Sequence, residues 1–395
     1  MLGPFSIDTP FPAFATMRAD FGVGVDAMQL VVSAYMIAFA VMTPFHGPLS
    51  DAIGRRPVIL GGLAAYILAS VGCALSTSLP MLLGFRVLQG LSAGGATIIG
   101  RTIVRDLFEG AQAQRLMSHV MMIFGLAPAV APIVGGWLLR IGPWPWIFWF
   151  IAGFAILLVI AVTLVIPETH PPERRTPLRF PLMLADLGTV IRHGEFSRMN
   201  WAISLAFAGQ FLYIGAAAIF VVDLLGKGEQ DFWVFFVPMI SGVVVGAWIS
   251  SHAAGRVSGR RLVAGALAFA CAAGVVNTLL AAAFGGRLPY AIIGPALIAL
   301  GTGTAFPTMQ IALLDVFPEK RGAAASVAGV LPLALNAVLA AGLAPLVTGS
   351  VVQLALASSI LVFFGAVLYL WHLTATHDDH DPPRDSENYE PLDKM

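Results

Sequence analysis

Two ionisable side chains and one charged segment of this sequence could do chemistry in an apolar setting. Asp8 lies in Ser6-Ile7-Asp8-Thr9-Pro10-Phe11-Pro12, within the first long apolar stretch. A carboxylate placed there needs a partner, water or a proton, and ionisable residues inside a membrane are functional candidates by default. Asp8 is read as a group that loads and releases a proton. Arg86 lies in Leu82-Leu83-Gly84-Phe85-Arg86-Val87-Leu88-Gln89-Gly90, within the fourth apolar stretch. Its guanidinium does not give up its proton, so it is a fixed positive charge that must face a polar interior. There it can attract an acid or a polar group of a substrate. The charged segment is Gly47-Pro48-Leu49-Ser50-Asp51-Ala52-Ile53-Gly54-Arg55-Arg56, read as a ten-residue loop of turn formers. Arg and Lys hold such a hairpin on the cytoplasmic side of a bilayer.

The elements that position these residues follow from composition. Hydrophobic residues make up 58% of the chain and charged residues 11%, whereas soluble domains have roughly half apolar and about a quarter charged residues. The bilayer is therefore the main solvent. Net formal charge is zero, and no basic patch or nucleic-acid motif is present, which sets nucleic-acid binding aside. Cys73 and Cys271 each sit in an apolar run and read as packing residues.

Apolar runs near the ~20 residues that cross about 30 Å of hydrocarbon recur twelve times, near 1–19, 28–46, 57–76, 80–103, 115–139, 145–166, 199–222, 232–252, 262–284, 289–313, 322–347 and 350–373. The expectation is an all-α membrane protein. With both termini in the cytoplasm, most of the 22 basic residues fall on the inside, and only Arg18, Arg140, Lys227 and Arg287 fall in outer segments. That asymmetry sets the orientation. The segment 167–198 opens with Pro167-Glu168-Thr169-His170-Pro171-Pro172 and divides the spans six and six. The expected organisation is a six-helix bundle over 1–166, a cytoplasmic linker over 167–198, a second bundle over 199–373 and a disordered tail over 374–395. Gly259-Arg260-Arg261 repeats Gly54-Arg55-Arg56 at the same place in the second half. Paired halves of this kind are how secondary transporters place one central site between two rocking bundles.

Small residues supply close approach. Gly90 and Gly94, and Gly242 and Gly246, stand four apart, a spacing that brings membrane helices together. In the fifth run, Gly125 to Gly136 combines Pro128 and Pro132 with Gly135 and Gly136, which predicts a kinked or loosened helix. Gly90-Leu91-Ser92-Ala93-Gly94 fits a serine-hydrolase pattern, but that chemistry needs a strand-to-helix elbow with a histidine nearby, and His119 is the sole candidate. His377, Asp378, Asp379, His380 and Asp381 lie in a polar tail that reads as disordered, so no metal site is assigned. His46 and His252 occupy equivalent helix ends and read as interfacial packing.

These residues resemble motifs of the major facilitator superfamily. Gly47 to Arg56 resembles the loop between its second and third helices, Arg86 with Gln89 and Gly90 resembles the fourth-helix motif, and Ala131-Pro132 with Gly135-Gly136 resembles the fifth-helix antiporter motif. Together they resemble the drug:proton antiporters with 12 membrane spans. Ile7-Asp8, Arg101 to Phe108, and Phe148 through Glu168-Thr169 are similar to the bicyclomycin and chloramphenicol resistance branch. Ala52 and Ala131 depart from the usual basic residue and glycine.

The resemblance implies a major facilitator fold of two six-helix halves that is not an enzyme and exports small, partly hydrophobic molecules in exchange for protons. A metabolite exporter of the same fold is the alternative. By carry-over, Arg86 ties proton occupancy to substrate binding, Asp8 is its protonatable partner, and Asp51, Arg55 and Arg56 lock a cytoplasmic gate with Gly47, Gly54 and Asp106. Gly125, Pro132, Gly135 and Gly136 form the antiporter motif. Helices one, four, seven and ten line the cavity, which points to Phe11, Gly90, Gln210, Phe211, Tyr213, Phe306 and Gln310 for substrate, with Asn336 from helix eleven. The proton gradient replaces a cofactor, and the expected setting is a monomer in a bacterial inner membrane. The family has more apolar residues before the aspartate of helix one, so Met1 is expected to be internal and helix one to lack its cytoplasmic portion.

Overall fold

In a bilayer every backbone N–H and C=O must be satisfied within the protein, which leaves helices as the simplest solution for long apolar runs. The computed structural model describes residues 2–108, 110–175, 180–253, 256–317 and 321–375, and these are largely helical with no strand among them. The helices are α1 (Leu2–Asp8), α2 (Phe14–Phe21), α3 (Val25–Ile53), α4 (Arg55–Ala74), α5 (Leu79–Leu107), α6 (Gly110–Ile141), α7 (Pro145–Val165) and α8 (Phe180–Arg192). They continue with α9 (Gly194–Gly215), α10 (Trp233–Ala253), α11 (Gly259–Phe284), α12 (Tyr290–Asp315), α13 (Arg321–Val338), α14 (Ala344–Val347) and α15 (Val351–Ala375). Among the described residues, nine are long and apolar enough to cross a membrane.

The remaining expected spans are built less simply. The first, read as one run over 1–19, is broken into α1, a 3-10 turn Phe11–Ala13 and α2, because Pro10 and Pro12 have no N–H to donate to the helix ladder. The fifth lies within α6, which carries Pro128 and Pro132, and the seventh is α9 followed by a π-helical stretch, Ile219–Leu224; the eleventh, one of the nine, also passes through a π-helical stretch, Leu339–Leu343. The segment 167–198 also carries α8.

The expected ten-residue loop 47–56 is also corrected. α3 is 29 residues long, about 44 Å at 1.5 Å per residue, so it outruns the ~30 Å hydrocarbon layer and stays helical through Ile53. Only Gly54, with φ 108° and ψ 153°, lies between α3 and α4.

Contacts divide the described chain into two compact units. The first comprises residues up to 184 with 214–237 and 329–349, and in it α3 packs on α5, and α4 on α5 and α7. The second comprises 185–213, 238–328 and the residues from 350 onward; its core joins Phe196, Met199 and Ile203 to Val263, Leu267, Met309, Leu313 and Tyr369. Glycines set its closest approaches: a Cβ at Gly242 or Gly246 would collide with the carbonyl oxygen of Ala296 or Leu300. Cys73 and Cys271 are free thiols.

Candidate functional site

The break in the first span creates the first unit's most unusual site. In an α-helix the carbonyl of residue 6 accepts from the N–H of residue 10, but residue 10 is proline. The Ser6 carbonyl is thus left without its helical donor, and Arg86 Nη1 donates to it at 2.9 Å. The same Nη1 donates to Gln89 Oε1 at 2.9 Å, and Nε donates to the Val31 carbonyl on α3 at 2.9 Å. Gln89 passes the connection to α4 by donating from Nε2 to Ser70 Oγ at 2.8 Å. The guanidinium also lies 4.5 Å from the centre of the Tyr35 ring, a cation–π contact that strengthens with desolvation. Ser6 Oγ pairs with the Tyr66 hydroxyl. One arginine thereby ties α1, α3 and α5, and α4 through Gln89.

Arg86 is fully buried and Asp8 is 3% exposed. Among the described residues, no hydrogen bond or ion pair joins Asp8 to Arg86, and Arg86 Nη2 has no acceptor. The structure therefore brings the end of α1 to Arg86 through the Ser6 backbone, with Asp8 two residues further on. An unneutralised cation in an apolar interior is strongly disfavoured, so the carbonyls and the ring face supply the stabilisation. Replacing Pro10 by Ala would restore an N–H that competes with Arg86 for the Ser6 carbonyl. The expected result is weakened transport with normal membrane insertion, measured by transport in vesicles matched for protein content.

Glycines let the surrounding helices reach this layer. A Cβ at Gly135 on α6 would collide with the Thr9 carbonyl oxygen, and one at Gly90 on α5 with that of Tyr35. Gly135→Ala should lower stability by about 1–3 kcal/mol, the usual range for overpacking. It should also reduce transport by more than the fall in folded protein, as read by thermal denaturation beside transport. Gly136 packs closely against the backbone at Glu229, where a Cβ would lie 2.7 Å from the carbonyl oxygen, and partial burial holds the Glu229 carboxyl above its usual range. Gly125 lies in α6 where side chains fall outside the described residues, as do His119 and the tail histidines; Pro132 lies within α6.

The second cluster forms where α3 meets α4. Arg55, 7% exposed, donates from Nη1 to Asp51 and to Ser50 Oγ, and from Nε to Asp106 at 3.3 Å. Asp106 also accepts from the Thr169 hydroxyl at 2.8 Å. The exposed N–H groups at the start of α4 go to Glu168: its carboxylate accepts from the Arg55 N–H at 3.0 Å, the Arg56 N–H at 3.2 Å and the His170 N–H at 2.9 Å. A carboxylate at a helix N-terminus satisfies orphan donors and opposes the helix dipole. Arg56 Nη2 donates to the Thr163 carbonyl at 2.7 Å. Nothing lies within 4 Å of a Cβ built at Gly47.

The expected substrate residues fall in both units. In the first, Phe11 is buried edge-on against Phe14, and buried Asn336 leaves Oδ1 without a partner among the described residues. In the second, Gln210 accepts from the Thr302 hydroxyl at 2.8 Å, and the Tyr213 hydroxyl accepts from Asn277 at 3.0 Å. Those bonds knit α9 to α12 and α11. Phe211 is buried, Gln310 is half-buried, and half-buried Phe306 lies against Phe207 with the ring centres 5.8 Å apart and the planes tilted by 41°. Ser92 donates to the Leu88 and Gln89 carbonyls within its own helix, so the hydrolase elbow is absent at that position. Glu168, Pro10 and Ser6 carry contacts that their sequence neighbourhoods did not single out.

A multi-pass helical protein with a buried arginine and a charged helix junction belongs with membrane transporters. The family model of the Major Facilitator Superfamily matches residues 1–331, and the chain belongs to that family. It is 28% identical over 339 residues to a bicyclomycin resistance protein homolog of Haemophilus influenzae, covering 86% of this chain and 85% of that one. It is also 28% identical over 331 residues to multidrug resistance protein D of Escherichia coli, covering 83% and 82%. A crystal structure of a bacterial homolog of the human lysosomal transporter Spinster has the same fold, with TM-score 0.74 and 16% identity over 97% of this chain and 96% of that one.

Proposed function

We propose that this transporter exports small amphipathic molecules, of the size and polarity of chloramphenicol or bicyclomycin, in exchange for protons. Asp8 carries the proton, Arg86 links its occupancy to substrate, and the Arg55 cluster holds the cytoplasmic side closed. The observation that carries this reading is Arg86, a fully buried cation bonded to two backbone carbonyls and one carboxamide, one of those carbonyls only two residues from the buried acid Asp8. The names of the relatives, which are resistance proteins, support export of drug-like compounds. The setting is a bacterial inner membrane with both termini in the cytoplasm, following the distribution of basic residues.

Proton release from energised everted vesicles, followed with a pH-sensitive dye, tests the proposal. Chloramphenicol, bicyclomycin and lipophilic cations are added one at a time. A substrate-triggered collapse of the pH gradient is expected for the native protein, and Asp8→Asn should flatten its pH dependence. A well-inserted protein that responds to none of them would point to a cellular metabolite or to uncoupled transport.

A further inference from the structure

Three helices of the second unit bring together two cations that no acid pairs with directly. Glycine draws α15 onto α9, since a Cβ at Gly365 would lie 2.6 Å from the Ala206 nitrogen. From that crossing α9 leads back to Arg198 and α15 leads on to Trp371, and the Arg198 guanidinium lies 5.6 Å from the centre of the Trp371 ring. α11 also packs on α15. Its second residue, Arg260, is exposed, and the charges of Arg260, Arg198 and Glu195 all reach His372 at the end of α15. Among the described residues neither arginine forms an ion pair, and Arg198 is held by the ring face alone. Glu195 offsets one of the two charges, so the group stays cationic.

The same group stands at the lipid boundary. α15 is 25 residues long, about 37 Å at 1.5 Å per residue, so its end outruns the ~30 Å hydrocarbon layer. Phe364, Val367 and Trp371 follow one another at spacings of three and four, and they are 53%, 41% and 55% exposed. Such an apolar row lies on one helix face, and in a membrane span an exposed face of this kind meets lipid tails. Trp371 ends the row where tryptophan anchors a helix among headgroups. A guanidinium stacked on that ring therefore meets headgroups too, and its planar fork matches phosphate oxygens. We propose that Arg198 and Arg260, with the face of Trp371, bind the phosphate of an anionic phospholipid. Its acyl chain lies along Val367 and Phe364. Basic side chains just beyond a membrane helix attract anionic lipid in this way. All of these residues belong to the second unit, and the site holds whichever cargo the protein exports.

The test titrates the detergent-solubilised full chain with phosphatidylglycerol and counts bound lipid by native mass spectrometry. The native protein should hold phosphatidylglycerol more tightly than phosphatidylcholine. Arg198→Gln and Arg260→Gln should each weaken binding about fivefold, the worth of one basic side chain at a membrane surface. Arg260 is exposed, so its variant keeps the test intact if Arg198→Gln fails to fold. Arg198→Lys keeps the charge but loses the fork and the stacking, and its affinity should fall between native and Arg198→Gln. Arg287→Gln removes an exposed charge elsewhere in the second unit and should bind lipid as the native protein does. Equal retention of the two lipids, or equal weakening by Arg287→Gln, would overturn the site and leave only general charge attraction. Inorganic phosphate added as competitor should not displace the lipid; displacement would show a site for the free anion and overturn the lipid assignment.

Discussion

Arg86→Ala is expected to abolish proton-coupled transport while the protein still inserts into the membrane, and Arg86→Lys is expected to rescue little of it. Two nitrogens of one planar group serve Ser6, Val31 and Gln89, and the same plane lies over Tyr35. A lysine has a compact ammonium on a flexible stem, so it cannot reproduce the fork or the stacking. Truncation also leaves buried acceptors without a donor, each worth about 1–3 kcal/mol, so stability should fall alongside activity. The separation is made by comparing thermal unfolding with dye-reported proton release. A lysine variant with native release would mean that charge alone suffices and that the geometry around Arg86 is incidental.

Gly54→Ala is the second large expected effect. At φ 108° a residue with a side chain is strained, by about 1–3 kcal/mol, and its Cβ would lie 2.6 Å from Glu168 Oε2. Both effects push the Glu168 carboxylate off the start of α4. Glu168→Gln should give the milder form, losing the charge but keeping an acceptor, at about 0.5–2 kcal/mol by analogy with other helix caps. Freed of that contact, the chain after Thr169 should be cut faster by trypsin at Arg174 and Arg175. Gly54→Ala should accelerate that cleavage more than Glu168→Gln, and transport should slow in the same order. Unchanged cleavage in both variants would show that Glu168 does not hold the segment in place.

Hydropathy made most of the helices legible, because a run of about twenty apolar residues has few alternatives in a bilayer. Charge at the α3–α4 junction was legible as well, since Asp51, Arg55 and Arg56 lie within six residues. The helical continuation through Gly47 and Pro48 was not, because turn-forming residues lose to the length of an already established helix. Glu168 could not be read as the cap of α4, since the two are separated by 113 residues and local propensity carries no such information. Asp8 was expected to partner Arg86, yet the guanidinium takes backbone oxygens. The clue was present in Ser6 and Pro10, whose spacing of four leaves one carbonyl unclaimed.

That unclaimed carbonyl has a consequence for how variation in this chain should be interpreted. In a scan of every single substitution, position 10 would score with the residues that handle substrate and protons, although its ring need touch neither. The effects of changes at positions 10 and 86 should also fail to add, because each acts on the same oxygen. Functional importance at Pro10 thus comes from a hydrogen that the residue lacks, and a map of contacts drawn around the cargo would miss it.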